Sequence, residues 1–577
     1  MAALRRRVEP LDQSFNMLHH LAILGGLHTV SAGAECGTRR IDMLMTTAIA
    51  CMARHHNTHY GHCLRGIKDG SIETGHLRCG NNFSVVDVAS KREGIMRMAQ
   101  QGSLTTRRGF LYGGATLAGA IGLPASGASA VEAAWAPNAP PPSVHVGTSS
   151  VAASSEVTTK STRLVGSAIN YAYAVKAGSW VFLNGHEAFD FEQGLAREVE
   201  GPPGNRLSGR PPLRREADYL LRRMRSILKG FGTDLNNAVR VDQFYTKGAA
   251  VSAYHLARFA EFGSYIPPST SIIMERCFTA RTNIHTSMIA VVPDPDHEVD
   301  KFTLPGQAIS ASGYNPAVAA SDFVFVAGNM AFRPDGTLDP KAYVSPGRNW
   351  GGETAFRRQV HYVITDRLEP SLQAAGSALE HSLKAQAYIR GVENFPDFLE
   401  VWSQHFHDIP CAITPVPAKD YGNTEGMIEI NLIALKNGAS RRKLVVATGI
   451  PEGATYGPCV RAGEFVFQSG LIAIDVDGRV PGREQADAFD ALSLAGQLQG
   501  AQLMSYVDAV CKAVGVSAAN VVRAQYFLSE IRDFAGIAAA WQDHYGRQPH
   551  PFACVQVPGP MPASGAVAIG DFWIYAG

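Results

Sequence analysis

The sequence predicts an α+β protein assembled from three tandem copies of one unit, each running β-β-(β)-α-β-α-β-β. The first observation is an apolar strand closing on glycine that occurs three times, at Ala177–Gly185, Ala320–Gly328 and Ala462–Gly470, with closing glycines 143 and 142 residues apart. The second is the tyrosine that stands fourteen residues before each glycine: Tyr171, Tyr314 and Tyr456. The third is a set of landmarks that follows in one order each time. It comprises a helix-ending glycine (Gly232, Gly376, Gly515), a strand glutamine (Gln243, Gln386, Gln525), a helix aromatic (Phe259, Trp402, Trp541) and a strand-opening proline (Pro268, Pro410, Pro551). Such recurrence at a fixed period marks a repeat architecture.

Taken in chain order, the first element is not a fold element. Residues 1–95 hold 8 of the 19 histidines and show no sustained hydrophobic period, and they read as an unstructured upstream extension. A metal tract around Cys51, His55, His56, His59, His62, Cys63 and Cys79 is the rival reading, but no zinc-type spacing recurs at a partner site. Residues 96–130 follow as an export signal. Arg107-Arg108 precedes a short Gly/Ala-rich apolar run, Leu111 to Leu123, and a small-residue exit ending Ala128-Ser129-Ala130. Those parts make a cleavable signal of twin-arginine type, and the run is too short for a stable membrane span. The expected destination is periplasmic or secreted, with the twin-arginine export machinery as a partner. Residues 131–160, rich in Ala, Pro, Ser and Thr, predict a flexible tether.

The three units span 161–293, 301–436 and 444–577. In the second, Glu353 to Ala375 predicts the long first helix, and Gly376 stands where a helix C-terminus favours glycine. Val401, Trp402 and Phe406 fall on one face of the second helix and predict core. The first unit carries an added Gly/Pro-rich stretch, Glu198 to Pro212, which reads as a tolerated loop.

These landmarks resemble the Rid (YjgF) family. The resemblance rests on the Tyr-to-Gly strand pair, the Gln-bearing strand, the Trp helix, the Pro-led strand and a closing strand such as Met427-Ile428-Glu429-Ile430-Asn431. It implies chorismate-mutase-like subunits that trimerise with ligand clefts between neighbours, so three copies in one chain imply an intramolecular pseudo-trimer. It also implies imine hydrolysis, with an arginine two residues after the strand-opening proline clamping the substrate carboxylate and a glutamate on the last strand.

Against that pattern the chain departs. The arginine position is Thr270, Ala412 and Ala553, the glutamate position is His285, Glu429 and Ala568, and the residue after the strand glycine is His186, Asn329 and Leu471. Only the tyrosine persists. The first copy's Tyr171, His186 and His285 are therefore the expected catalytic group, because histidine suits proton transfer near neutral pH; the alternative is that the histidines only fill and bond a cleft floor. Glu429 is the expected second acid/base. Tyr314, Tyr456, Asn329, Glu187, Thr270, Glu275 and Arg276 are expected substrate contacts. No motif calls for a cofactor, and no metal is assigned.

Charge limits the partners. Residues 1–130 carry 14 Lys+Arg against 8 Asp+Glu, so the remainder is net −5. Such a body lacks the basic surface that holds nucleic acid. The expected function is an exported enzyme that hydrolyses or deaminates a small imine-like or cyclic metabolite in an inter-repeat cleft. The alternative is a non-catalytic small-molecule-binding protein on a degenerate scaffold.

Overall fold

The computed structural model describes residues 156–577, except 192–193, 201–209, 305–311, 345–351 and 483–493. The expected upstream extension, the export signal, most of the tether and the centre of the Glu198–Pro212 loop therefore lie outside the described residues. The first strand, Val157–Arg163, already opens within the segment expected as tether.

Each unit builds one sheet in the same spatial order. In the first, the strands Val157–Arg163, Asn170–Ala177, Trp180–His186, Ile284–Val291, Ala238–Tyr245 and Ser269–Ile273 lie side by side. The second sheet runs Val299–Phe302, Ala317–Ala320, Phe323–Asn329, Ile428–Leu435, Ser382–Arg390, Ala412–Ala418. The third runs Lys443–Val446, Cys459–Ala462, Phe465–Phe467, Ala568–Tyr575, Val521–Leu528, Phe552–Gln556. It continues into the first unit's short strand Arg276–Cys277, which stitches two repeats together through backbone bonds. In each unit the one parallel pairing between neighbouring named strands joins the strands on either side of the second helix, because a helical crossover returns the chain in the same direction.

The helices cover one face of each sheet. In the second unit the expected long helix begins at Ala355, where the Thr354 side chain accepts the Arg357 N–H, and ends at Ala374. A π-helical stretch, Val363–Leu368, interrupts it just before Pro370. The wider i→i+5 spacing accommodates a proline that cannot donate and would clash in a regular turn. Gly376 follows at φ 68° and Gly515 ends the third unit's first helix at φ 77°, so both occupy the left-handed position foreseen for them. The first repeat's helix aromatic departs from its counterparts. Trp402 and Trp541 are buried, whereas Phe259 is exposed.

The uncovered sheet faces meet one another. Trp180 and Phe182, Phe323 and Phe325, and Phe465, Phe467 and Trp573 form one apolar cluster drawn from all three sheets. Farther along the same faces, the rings of Phe244, Tyr388 and Phe527 lie 5.9–6.2 Å apart, one from each repeat. This triad fixes the true correspondence of the repeats. It aligns Arg240, Lys384 and Arg523, then Asp242, Gln386 and Gln525. Gln243 is thus one residue out of step, and strand alternation turns it to the opposite face, where Tyr245 Oη donates to its Oε1 at 2.8 Å.

Register corrects two further expected positions. Asp242, Gln386 and Gln525 pair with Thr270, Thr414 and Ala553. Counting two from the proline reached Ala412 because the turn after Pro410 is longer. Likewise Phe244, Tyr388 and Phe527 pair with His285, Glu429 and Ile569, so Ile569, not Ala568, stands at the glutamate position.

Between the aromatic triad and the apolar cluster lies a buried polar network. Arg523 and Arg240 both bond Asp242, Arg240 reaches Gln386 at 2.5 Å, and Gln386 donates to Gln525 and Asp571. Lys384 pairs with Asp571 at 3.1 Å with both side chains fully buried. Buried charges persist only when paired and hydrogen-bonded, so the network ties the three central strands into one arrangement.

Candidate functional site

Each repeat presents its Tyr–Gly corner and glutamate position to a neighbour, and the three resulting seams differ. In the seam of the first repeat with the third, the expected catalytic group is packed shut. Tyr171, His186, Glu187 and His285 are each 2% exposed or less. The Tyr171 ring lies 4.5 Å from Phe552 of the third repeat, and its hydroxyl donates to the carbonyls of Asn184 and Gly185. His186 Nε2 bonds the Tyr173 carbonyl at 2.8 Å, and burial, reinforced by the nearby Arg223 charge, depresses its pKa to about 3. The Glu187 carboxylate accepts from Phe278 N, Thr279 N, Thr282 Oγ1 and His285 Nδ1, all at 2.7–2.8 Å. A carboxylate with four partners has little capacity left for a substrate.

The seam of the second repeat with the third is also closed. Gly470 N donates to Ile413 O at 2.9 Å, and a methyl group on Gly470 would crowd Tyr456 and Thr414. Leu471 and Ile569, both fully buried, supply no acid or base there.

The seam of the first repeat with the second is open. A cavity of about 410 Å³ is lined by His255, Arg258, Ser269 and Ser271 from the first repeat and by Tyr314, Gly328, Asn329, Tyr421 and Glu429 from the second. Glu429 sits on strand Ile428–Leu435 and is 4% exposed. Its Oε1 accepts the Ser271 N–H at 3.1 Å across the seam. Burial raises its pKa to about 8; the Ser271 N–H offsets part of that rise and the Asp242 charge adds to it. Gly328 makes room for this carboxyl, because a methyl group there would overlap Glu429 Oε1. Asn329, held by a 2.8 Å bond from its amide to the Ala327 carbonyl, and Tyr314 line the same cavity.

The structure brings Glu429, Asn329 and Tyr314 together on the lining of this cavity. The structure separates the remaining expected contacts from the cavity. Thr270 Oγ1 accepts from Asn431 Nδ2 at 2.9 Å in the buried centre, Glu275 pairs with Lys419 at the surface, and Arg276 is exposed on the stitching strand.

Arg258 was missed. It lies on helix Gly248–Phe262 at four-residue spacing from Ala250, Tyr254 and Phe262, all buried. A lone charge inside an apolar stripe was a readable signal. The described residues include no group of three or more His, Cys, Asp or Glu that could hold a metal ion, and no described helix is long and apolar enough to cross a membrane.

The sequence family described as Endoribonuclease L-PSP matches residues 305–436 and 449–564, the second repeat and most of the third. A RutC family protein from Saccharolobus solfataricus is 26% identical over 124 residues, 22% of this chain and 87% of that protein. Protein MMF1, mitochondrial, from Saccharomyces cerevisiae is 25% identical over 103 residues, which cover 17% of this chain and 58% of that protein. A solved structure of a Rid protein family member from Yersinia pestis is 17% identical, covers 24% of this chain and 99% of its own, and has a TM-score of 0.20. Two matched segments in tandem and relatives of this kind support membership of the Rid (YjgF) family.

Proposed function

We propose that the three repeats act as an intramolecular pseudo-trimer with one live cleft, between the first and second repeats, in which a small C=N compound is hydrolysed. The observation that carries this reading is Glu429, a buried carboxyl with a pKa near 8 on the wall of the 410 Å³ cavity. Near neutral pH such a group is largely protonated yet can give up its proton, which is the condition for general acid–base work.

The chemistry is that of an imine meeting water. Protonated Glu429 gives its proton to the imine nitrogen while water adds to the carbon, and the carboxylate then takes a proton from the added water. The resulting carbinolamine collapses when the hydroxyl proton passes through Glu429 to nitrogen and the carbon–nitrogen bond breaks. The imine and one water thereby become the carbonyl compound and ammonia. Ser271 N–H steadies the carboxylate phase, and Tyr314 and Asn329 can orient the substrate.

One observation favours the second reading, a non-catalytic binding protein: two of the three seams hold no acid or base open to a ligand. The Glu429→Gln chain decides between them. If ammonia release from freshly generated imines is lost while ligand binding persists, the enzyme reading stands; if the wild type binds such compounds without turnover, the protein is a binder. The net −5 body argues against a nuclease role. Export by the twin-arginine route is also proposed, on the Arg107-Arg108 motif and its apolar run; mass spectrometry of the natural N-terminus tests it, with a start after Ala130 expected.

A further inference from the structure

A second cavity, of about 350 Å³, lies where the first repeat meets the third. Tyr171 and Phe552, which pack together in the closed corner, are not among its lining residues. The two repeats are joined around it: His550 N donates to Asn170 O at 2.8 Å, and Gln542 Nε2 donates to Ala168 O at 2.6 Å. Arg163 ends the first repeat's opening strand, and Arg547 follows the third repeat's second helix, Phe534–Tyr545. Both line the cavity and both are exposed. Arg163 Nε donates to Ser167 O at 2.8 Å, and among the described residues neither guanidinium forms an ion pair. No Asp or Glu lines the cavity.

His550 forms part of the wall and is buried. Its ring stacks on Trp541 at 4.0 Å, and its Nε2 lies 2.8 Å from Tyr526 Oη. Burial pushes the imidazole's pKa well below its ordinary value and the phenol's well above. The phenol therefore donates, and the ring proton sits on Nδ1, which is buried and finds no acceptor. Two guanidinium charges thus face one cavity, and no charged group in its lining opposes an anion.

We infer that this cavity is a second ligand site, which takes a phosphate dianion, free or carried as a monoester by a small molecule, between Arg163 and Arg547. Neither arginine lines the cavity of Glu429, so the site stands whether or not that cleft is live. One exposed guanidinium holds a monovalent anion weakly, because water and salt screen the pair. Two that line one cavity can share a dianion, and the planar fork of each matches phosphate oxygens in pairs. Since one arginine comes from each repeat, the bound anion also ties the first repeat to the third.

The test is calorimetric titration of the full chain with inorganic phosphate and with glycerol 2-phosphate at about pH 8, where both are dianions, with chloride at matched ionic strength as the control. Wild type is expected to bind phosphate saturably and chloride not. Arg163→Gln and Arg547→Gln are each expected to weaken binding at least about tenfold, the margin of one charge-assisted hydrogen bond. Arg479→Gln, at an exposed arginine elsewhere, should leave it unchanged. Arg547→Lys, which keeps the charge and loses the fork, should fall between, and it serves should a glutamine variant not fold. Phosphate should also raise the melting temperature of wild type and not that of the double glutamine variant. Tighter binding of the ester makes the source a phosphorylated small molecule, and equal or tighter binding of the inorganic ion makes it free phosphate; either supports the site. No saturable phosphate binding, an equal response to chloride, or site variants that bind as wild type does would overturn the inference.

Discussion

The amide of Ser271 in the first repeat donates to the carboxyl of Glu429 in the second, 3.1 Å away, so the acid of the open cleft is held by its neighbour rather than by its own sheet. Consequences of that arrangement can be measured at the open cleft, in the closed seam and in the central network.

Glu429 should make the protein less stable as pH rises. Its carboxyl ordinarily loses its proton near 4.5, and in the fold it does so near 8. Between those values the unfolded chain has released a proton that the native state still holds, so each rise in pH favours unfolding until the native carboxyl also ionises. Wild type should therefore lose roughly 3–5 kcal/mol relative to Glu429→Gln between about pH 5 and 8.5. Glu216, also raised by burial, to about 7, is common to both proteins and cancels. Denaturant unfolding at the two pH values checks this; a pH-independent gap would contradict it.

Two glycines at equivalent corners should respond differently to a methyl group. At Gly328 the added carbon meets the movable end of Glu429, whereas at Gly185 it meets the Ala553 Cα and the Phe552 carbonyl, both at 2.9 Å, at φ 55°. Gly328→Ala should keep nearly the wild-type melting temperature while turnover falls about a hundredfold, the cost of a displaced catalytic group. Gly185→Ala should cost about 2 kcal/mol or more in stability, from strain and a backbone overlap that cannot relax by rotation. Thermal melts with parallel rate assays separate the two.

Much of this was legible in the sequence, and the failures have physical causes. The repeats and the helix-ending glycines follow from period and backbone conformation, which are local. The cleft contacts of Glu429, Asn329 and Tyr314 followed from a pattern centred on one corner. The reading failed wherever a count crossed a turn of variable length, as from Pro410 to Thr414, or slipped one residue along a strand, as at Gln243 and Ala568. It could not foresee that Phe552 of the third repeat packs on Tyr171 in the seam that holds His186 and His285, since Tyr171 and Phe552 are more than 300 positions apart.

His285 should matter to folding and not to turnover. Its Nδ1 lies 2.8 Å from a Glu187 carboxyl that is fully buried. His285→Ala removes one of that carboxylate's partners and should cost about 1–3 kcal/mol, with the rate constant of the folded fraction unchanged. Chemical denaturation paired with active-site-normalised rates provides the check.

Lys384 and Asp571 should prove inseparable. Lys384→Met leaves the buried Asp571 without its 3.1 Å counter-charge and should destabilise by about 3–5 kcal/mol, whereas the double change with Asp571→Leu should recover a large part of that loss. Failure of the double variant to recover would mean that the network does more than balance charge.

The most direct measurement is ammonia release from a panel of freshly generated imines by the full chain, comparing wild type, Glu429→Gln and His285→Ala. A live cleft between the first and second repeats predicts a loss of about a hundredfold or more for Glu429→Gln and a rate near wild type for His285→Ala. The reverse pattern would place the chemistry in the closed seam and contradict the account.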